Sequence, residues 1–209
     1  MSAIDTPSAP SVTLRNPSPH TIKSAKALSA SIPPPTPEWI AGTWHVTHST
    51  LPMWKSKSNV RITYNALPQE GDAPPDFDDL VEYKKLAGGK DSSVHGVSRA
   101  VTVPDLGAGW AYSWRGKGML MIASSQWEIL GWGEDVASGS SWAVTYFGKT
   151  LFTPAGLDFY SRSKDGLSEG IVTSIKAELT KLEDPSLKTL TDSLFEVPTN
   201  PQIVQLVDT

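Results

Sequence analysis

From Trp39 onward the chain repeats one pattern: a short run of β-branched and aromatic residues, a cluster of Gly, Pro, Ser or Asp, then another run. Between Val60 and Tyr64 the apolar residues Val60, Ile62 and Tyr64 alternate with Arg61 and Thr63, the two-residue period of a half-buried strand. Runs of this kind predict eight strands, over residues 42–49, 59–65, 80–86, 94–103, 110–115, 126–132, 142–147 and 157–163. The period then changes. Ile171, Ile175, Leu179 and Leu182 recur at helical spacing behind Ser168, a capping residue, and Asp184-Pro185 opens a second short helix carrying Leu187, Leu190 and Leu194. The pattern describes an antiparallel all-β protein closed by a C-terminal α-helix.

The ends and one connection read differently. Residues 1–37 are rich in Ser, Pro and Ala and have no periodic apolar face, which predicts a mobile arm ahead of a folded unit at 38–197 and a tail at 198–209. Pro68 to Asp79 reads as a long connection near a barrel mouth or over solvent, its Asp76-Phe77-Asp78-Asp79 run solvated and Phe77 a candidate lid residue.

With 209 residues and 39% of them hydrophobic, the chain supports one domain. The net charge of -4, with 18 Lys and Arg scattered along the sequence, argues against a nucleic-acid partner. No cysteine is present, so disulfides and thiolate chemistry are excluded. No apolar run reaches the roughly 18 residues of a membrane span. The absence of a basic start followed by an apolar run, together with the lack of cysteines, gives a cytoplasmic expectation.

Two short motifs sharpen the picture. Gly42-Thr43-Trp44 opens the first strand, and Leu157-Asp158-Phe159-Tyr160-Ser161-Arg162-Ser163 closes the strand region just before the helix. In this the chain resembles the lipocalin and wider calycin families, above all bacterial, fungal and intracellular lipocalin-like proteins. Gly133-Glu134-Asp135-Val136 stands where that family carries Thr-Asp-Tyr. The resemblance implies an eight-stranded antiparallel up-and-down β-barrel with Arg162 covering Trp44 at its floor. Gly42 would let the chain pass close beneath. Such a barrel has room for side chains and one small ligand.

Alternation from Trp44 through Val46 turns His48 inward and His45 outward. An inward imidazole serves as a hydrogen-bonded core group, a polar contact to ligand, or a catalytic acid or base. The four histidines lack metal-site spacing, and no motif asks for a cofactor. Trp54, Tyr64, Tyr83, Trp110, Tyr112, Trp114, Trp127, Tyr146 and Tyr160 are the candidate cavity aromatics, about half expected to line the pocket and half to pack elsewhere. Arg99 either meets a ligand carboxylate or pairs outward, while Glu82 and Glu128 read as solvated strand positions. An aromatic cavity with sparse polar groups suits a small hydrophobic molecule of polyketide, terpenoid or lipid-like character. Three roles fit: a binding protein, a cofactor-independent cyclase or isomerase of secondary metabolism, in the manner of a pericyclase, and a structural or interaction protein.

Overall fold

The computed structural model describes residues 10–23, 25, 30–69, 71, 73–87 and 90–199. Eight antiparallel strands follow in order: β1 Gly42–Ser49, β2 Lys57–Ala66, β3 Phe77–Lys85, β4 Ser92–Val103, β5 Gly107–Gly116, β6 Ser124–Asp135, β7 Ser140–Phe147 and β8 Gly156–Ser161. Each pairs with the next, and β1 pairs with both β2 and β8, so the sheet closes into an up-and-down barrel with no free edge between them. All eight predicted strands are present, most of them longer than the patterned run.

A four-residue helix, α1 (Pro37–Ile40), precedes β1, and two helices follow β8: α2 (Glu169–Lys181) and α3 (Pro185–Asp192). Ser168 caps α2 by accepting from Ile171 N–H, and Asp184 caps α3 through Ser186 N–H. A two-residue strand, β9 (Phe195–Glu196), returns to the end of β1. Among the described residues no helix is long and apolar enough to cross a membrane.

The barrel wall is apolar on both sides, which divides the core. Inside lie Trp44, Val46, Val60, Ile62, Tyr64, Phe77, Trp127 and Tyr160 among others. Outside, Leu130, Trp142, Val144, Tyr146, Leu157 and Phe159 meet Ile171, Ile175 and Leu179 of α2 and Leu187 of α3. Helices α2 and α3 thus cover the β6–β8 wall.

The segment expected as a mobile arm supplies part of that outer core. Val12, Leu14 and Ile22 pack against it, and Arg15 N–H donates to Leu130 O at 2.8 Å, where β6 is bulged between Ile129 and Gly131. A Cβ on Gly131 would lie 2.4 Å from Leu14, so glycine here admits the strap. The Arg15 guanidinium is buried 2.7 Å from Glu128 Oε2, and Ser18 N–H and Thr21 Oγ1 also donate to Glu128. Glu128, expected as a solvated position, is therefore the buried anchor of the strap. Composition hid this because an extended strap docks through a few side chains with no period. Its first nine residues lie outside the described region, as does the end of the predicted tail, residues 200–209.

Two further expectations change. The connection after β2 ends at Asp76, because Phe77, Asp78 and Asp79 continue into β3 and pair with Ala66, Asn65 and Tyr64. Phe77 is fully buried against Tyr64 and Tyr112 and acts as part of the barrel filling, not as a lid.

Candidate functional site

One end of the barrel is closed. Gly42 sits at φ +94°, and a Cβ there would come 3.1 Å from Arg162 Nη1. That leaves the guanidinium free to lie 3.7 Å over the Trp44 ring while donating to the carbonyls of Thr43 (2.9 Å), Ala41 (2.6 Å) and Trp39. Burial lowers the Arg162 pKa to about 10. Trp44 Nε1 in turn donates to Ile40 O at 2.8 Å, and α1 plugs the floor.

Above this floor opens a cavity of about 310 Å³ that reaches the connections at the other end. Of the candidate aromatics, Trp54, Tyr64, Trp114, Trp127 and Tyr160 line it. Gly96 on β4 makes space for one of them, since a Cβ there would lie 2.3 Å from Trp114 Nε1. Tyr64 stacks on Trp127 (5.5 Å, 24°), and Trp127 stacks on Tyr112 (4.5 Å, 20°). Tyr112 is buried behind this stack, its hydroxyl without a partner.

The remaining candidates lie elsewhere. Tyr83 packs beside Trp54 at 6.0 Å and under Lys57, Trp110 lies beneath the Arg15 guanidinium at 4.8 Å, and Tyr146 belongs to the outer core under the helices. Arg99 is exposed. Glu82 joins Arg61 on the outer wall through two hydrogen bonds of 2.9 and 3.0 Å.

His48 also faces away from the cavity. The ladder between β1 and β8 runs Val46 to Tyr160, then slips, pairing His48 with Phe159 and Ser49 with Asp158. One extra residue at Thr47 reverses the parity of the strand end, so that Ser49 turns inward and His48 packs 5.6 Å from the outer Phe159 ring. Burial, followed by the Lys176 charge, lowers the His48 pKa.

The bulge delivers a different polar group. Asp158, fully buried, accepts from Ser49 Oγ at 2.5 Å and from Trp54 Nε1 at 3.3 Å. Asp79, level with Tyr64 in the β2–β3 ladder, accepts from Ser98 Oγ at 2.8 Å through one oxygen, and its other oxygen has no partner. Both carboxyls line the cavity, and burial raises each to about 7. Burial likewise pushes the Tyr64 and Tyr160 phenols well up, and the Tyr160 hydroxyl is without a partner. The sequence offered a signal for Asp158 in the alternation of β8, where its neighbour Tyr160 faces in. Asp79 was hidden inside an acidic run.

The arrangement can hold an apolar body against aromatic walls, with two carboxyls that burial raises to about 7. Among the described residues no group of three or more His, Asp or Glu is placed to hold a metal ion.

No protein-family model and no curated protein sequence matches this chain. Solved structures do. The amine binding protein of Rhodnius prolixus, in its tryptamine complex, superposes with a TM-score of 0.53 at 12% identity, covering 83% of this chain and 86% of that one. Apocrustacyanin C2 matches with a TM-score of 0.51 at 16% identity over 78% of each chain. Lobster apocrustacyanin A1 gives 0.50 at 15% identity, over 77% of this chain and 78% of that one. At such identities the likeness is one of fold, and it agrees with the closed eight-stranded barrel: the chain has a lipocalin-like fold.

Proposed function

We propose that the protein binds a small hydrophobic molecule of polyketide, terpenoid or lipid-like character inside the barrel, with Asp79 and Asp158 as the polar groups that orient it. The observation that carries this reading is the cavity itself: about 310 Å³, bounded by aromatic and aliphatic side chains, with two buried carboxyls and the Tyr160 hydroxyl as its inner polar groups. Apolar walls supply affinity, and few fixed polar groups supply orientation. The lipocalin-fold neighbour solved with tryptamine gives general support to a ligand within such a barrel.

Native mass spectrometry of protein from its own cells, together with titration by the neutral dye Nile red, tests the reading. A bound mass or saturable dye binding is expected. Val81→Trp, which fills the cavity, should abolish binding, and His48→Ala, on the outer wall, should leave it unchanged. Absence of both ligand and dye binding, or dye binding indifferent to Val81→Trp, would overturn it.

A second reading, a cofactor-independent cyclase or isomerase using the same pocket, draws on one observation. Two carboxyls titrating at about 7 can deliver or accept a proton at neutral pH. Chromatography of the recovered ligand after incubation with fresh protein separates the readings: an isomer that Asp158→Asn fails to form marks the enzyme, and unchanged ligand marks the carrier.

A further inference from the structure

The open end of the barrel is built from the connections β1–β2, β3–β4, β5–β6 and β7–β8, and it carries a ring of large apolar side chains in solvent. Met119 is 98% exposed, Ile122 80%, Leu151 95% and Phe152 78%, with Met53 and Met121 beside them at 46% and 60%. Leu120 and Phe152 continue inward as cavity lining, so this rim is the entrance to the site. Folding alone gives no return for such exposure, and a contiguous apolar rim marks a surface that meets another phase or partner.

Charge identifies which. Within two residues of these four connections the chain places Lys55, Lys57, Lys84, Lys85, Lys90, Arg115, Lys117 and Lys149 against one carboxylate, Asp91, and the fold adds two from elsewhere, Asp78 beside Lys117 and Glu196 of β9 beside the end of β1. The whole chain has a net charge of -4, so the mouth is a cationic cap on an acidic protein. Two ion pairs draw on it, Lys84 with Asp91 at 3.6 Å and Lys117 with Asp78 of β3, and the other six cations form no ion pair among the described residues. A second copy of this chain is disfavoured as the occupant, because mouth against mouth would oppose two rings of like charge. Apolar tips between lysines match instead the two layers of an anionic bilayer surface, acyl boundary and headgroup phosphate.

We propose that the protein docks mouth-first on anionic lipid membranes and exchanges its ligand with the bilayer through that contact. A groove between the β5–β6 and β7–β8 connections, lined by Ile122, Leu151 and Phe152 with Ser124, Gln126 and Lys149, leads from the rim along the wall. The proposal concerns the rim and stands whether or not the interior ligand is of the class proposed above.

Flotation with phosphatidylcholine vesicles, with and without phosphatidylserine, tests it on the full chain. Binding should require phosphatidylserine, weaken as salt is raised, and fall about fivefold for each of Lys85→Ser and Lys149→Ser. Ile122→Asp and Phe152→Asp should each abolish flotation while near-ultraviolet circular dichroism stays unchanged, and Ile122→Leu should retain it. Nile red binding in the interior is read in parallel, so a failure of the cavity and a failure of the rim remain distinguishable. No flotation, flotation indifferent to lipid charge, or flotation unaltered by the aspartate variants would overturn the proposal. So would a concentration-dependent dimer in sedimentation that Ile122→Asp dissolves.

Discussion

Replacing Asp79 by asparagine should stabilise the ligand-free protein at pH 8 and change it little at pH 4. The carboxyl is buried, one oxygen accepts from Ser98 Oγ at 2.8 Å, and the other has no partner. Burial therefore dominates and lifts its pKa from 3.8 to about 7. The direction of the linkage follows from that rise. The folded state holds the proton more tightly than the unfolded chain, so folding is favoured at low pH and loses stability as pH climbs from about 4 to about 7. A shift of this size corresponds to about 4 kcal/mol across the window.

Asp79→Asn keeps the shape, still accepts from Ser98 through its amide oxygen, and has no charge to bury. It forfeits the charge-assisted part of the Ser98 bond, about 1 kcal/mol, which leaves an expected gain at pH 8 of about 2 to 4 kcal/mol. Urea unfolding followed by tryptophan fluorescence between pH 4 and 8 measures it. Wild-type stability should fall along this range with contributions from both Asp79 and Asp158, and the variant should show about half the slope. Parallel pH profiles for the two proteins, or a variant less stable at pH 8, would refute the claim that the Asp79 carboxylate is desolvated.

At the floor, Trp44→Ala should cost about 3 to 5 kcal/mol and Arg162→Ala less, with strong non-additivity in a double-mutant cycle because each removes the partner of the other. Additive losses in urea unfolding would dissolve the stacked pair. On the outer wall, deleting residues 1–9 should be silent, whereas deletion through residue 23 strips Arg15 from Glu128 and should cost about 3 to 5 kcal/mol, partly restored by Glu128→Gln. Equal unfolding midpoints for the two truncations would mean that the strap does not anchor the wall.

Strand number and helix caps were legible because each is written in adjacent residues, and the Trp44–Arg162 floor, whose two residues lie over a hundred positions apart, was reached only through the resemblance of two motifs to a family pattern. Which aromatics face the cavity was not legible. Tyr146 of β7 and Leu157 of β8 look like interior residues by hydrophobicity, yet they lie outside, since α2 and α3 cover that wall and make both of its faces apolar. Alternation then tells that two faces exist without telling which is inside. The cationic rim was hidden for a related reason: its eight members are scattered over nearly a hundred positions, and only closure of the barrel gathers the four connections into one ring. Arg15 and Glu128 are more than a hundred positions apart, beyond the reach of any local pattern.

The chemistry of the cavity turns on a single inserted residue. With strict alternation β1 would present His48 to the interior, a base titrating near neutrality, and Ser49 to the helices. The bulge at Thr47 exchanges them, and Ser49 becomes the donor that holds Asp158. Neutral-range proton chemistry persists, but in carboxyls that burial has raised to about 7 instead of in an imidazole. Such groups are expensive, at about 4 kcal/mol each when ionised. Neither carboxyl is paired with a cation that would repay its burial; Asp158 is offset by hydrogen bonds from Ser49 Oγ and Trp54 Nε1, and Asp79 by one from Ser98 Oγ with its other oxygen unpartnered. The donors that Asp158 joins account for it, whereas Asp79 keeps one buried oxygen to which the proposed ligand would supply a hydrogen bond. Stability forgone at Asp79, inside the cavity, is a cost that supports the proposed binding site.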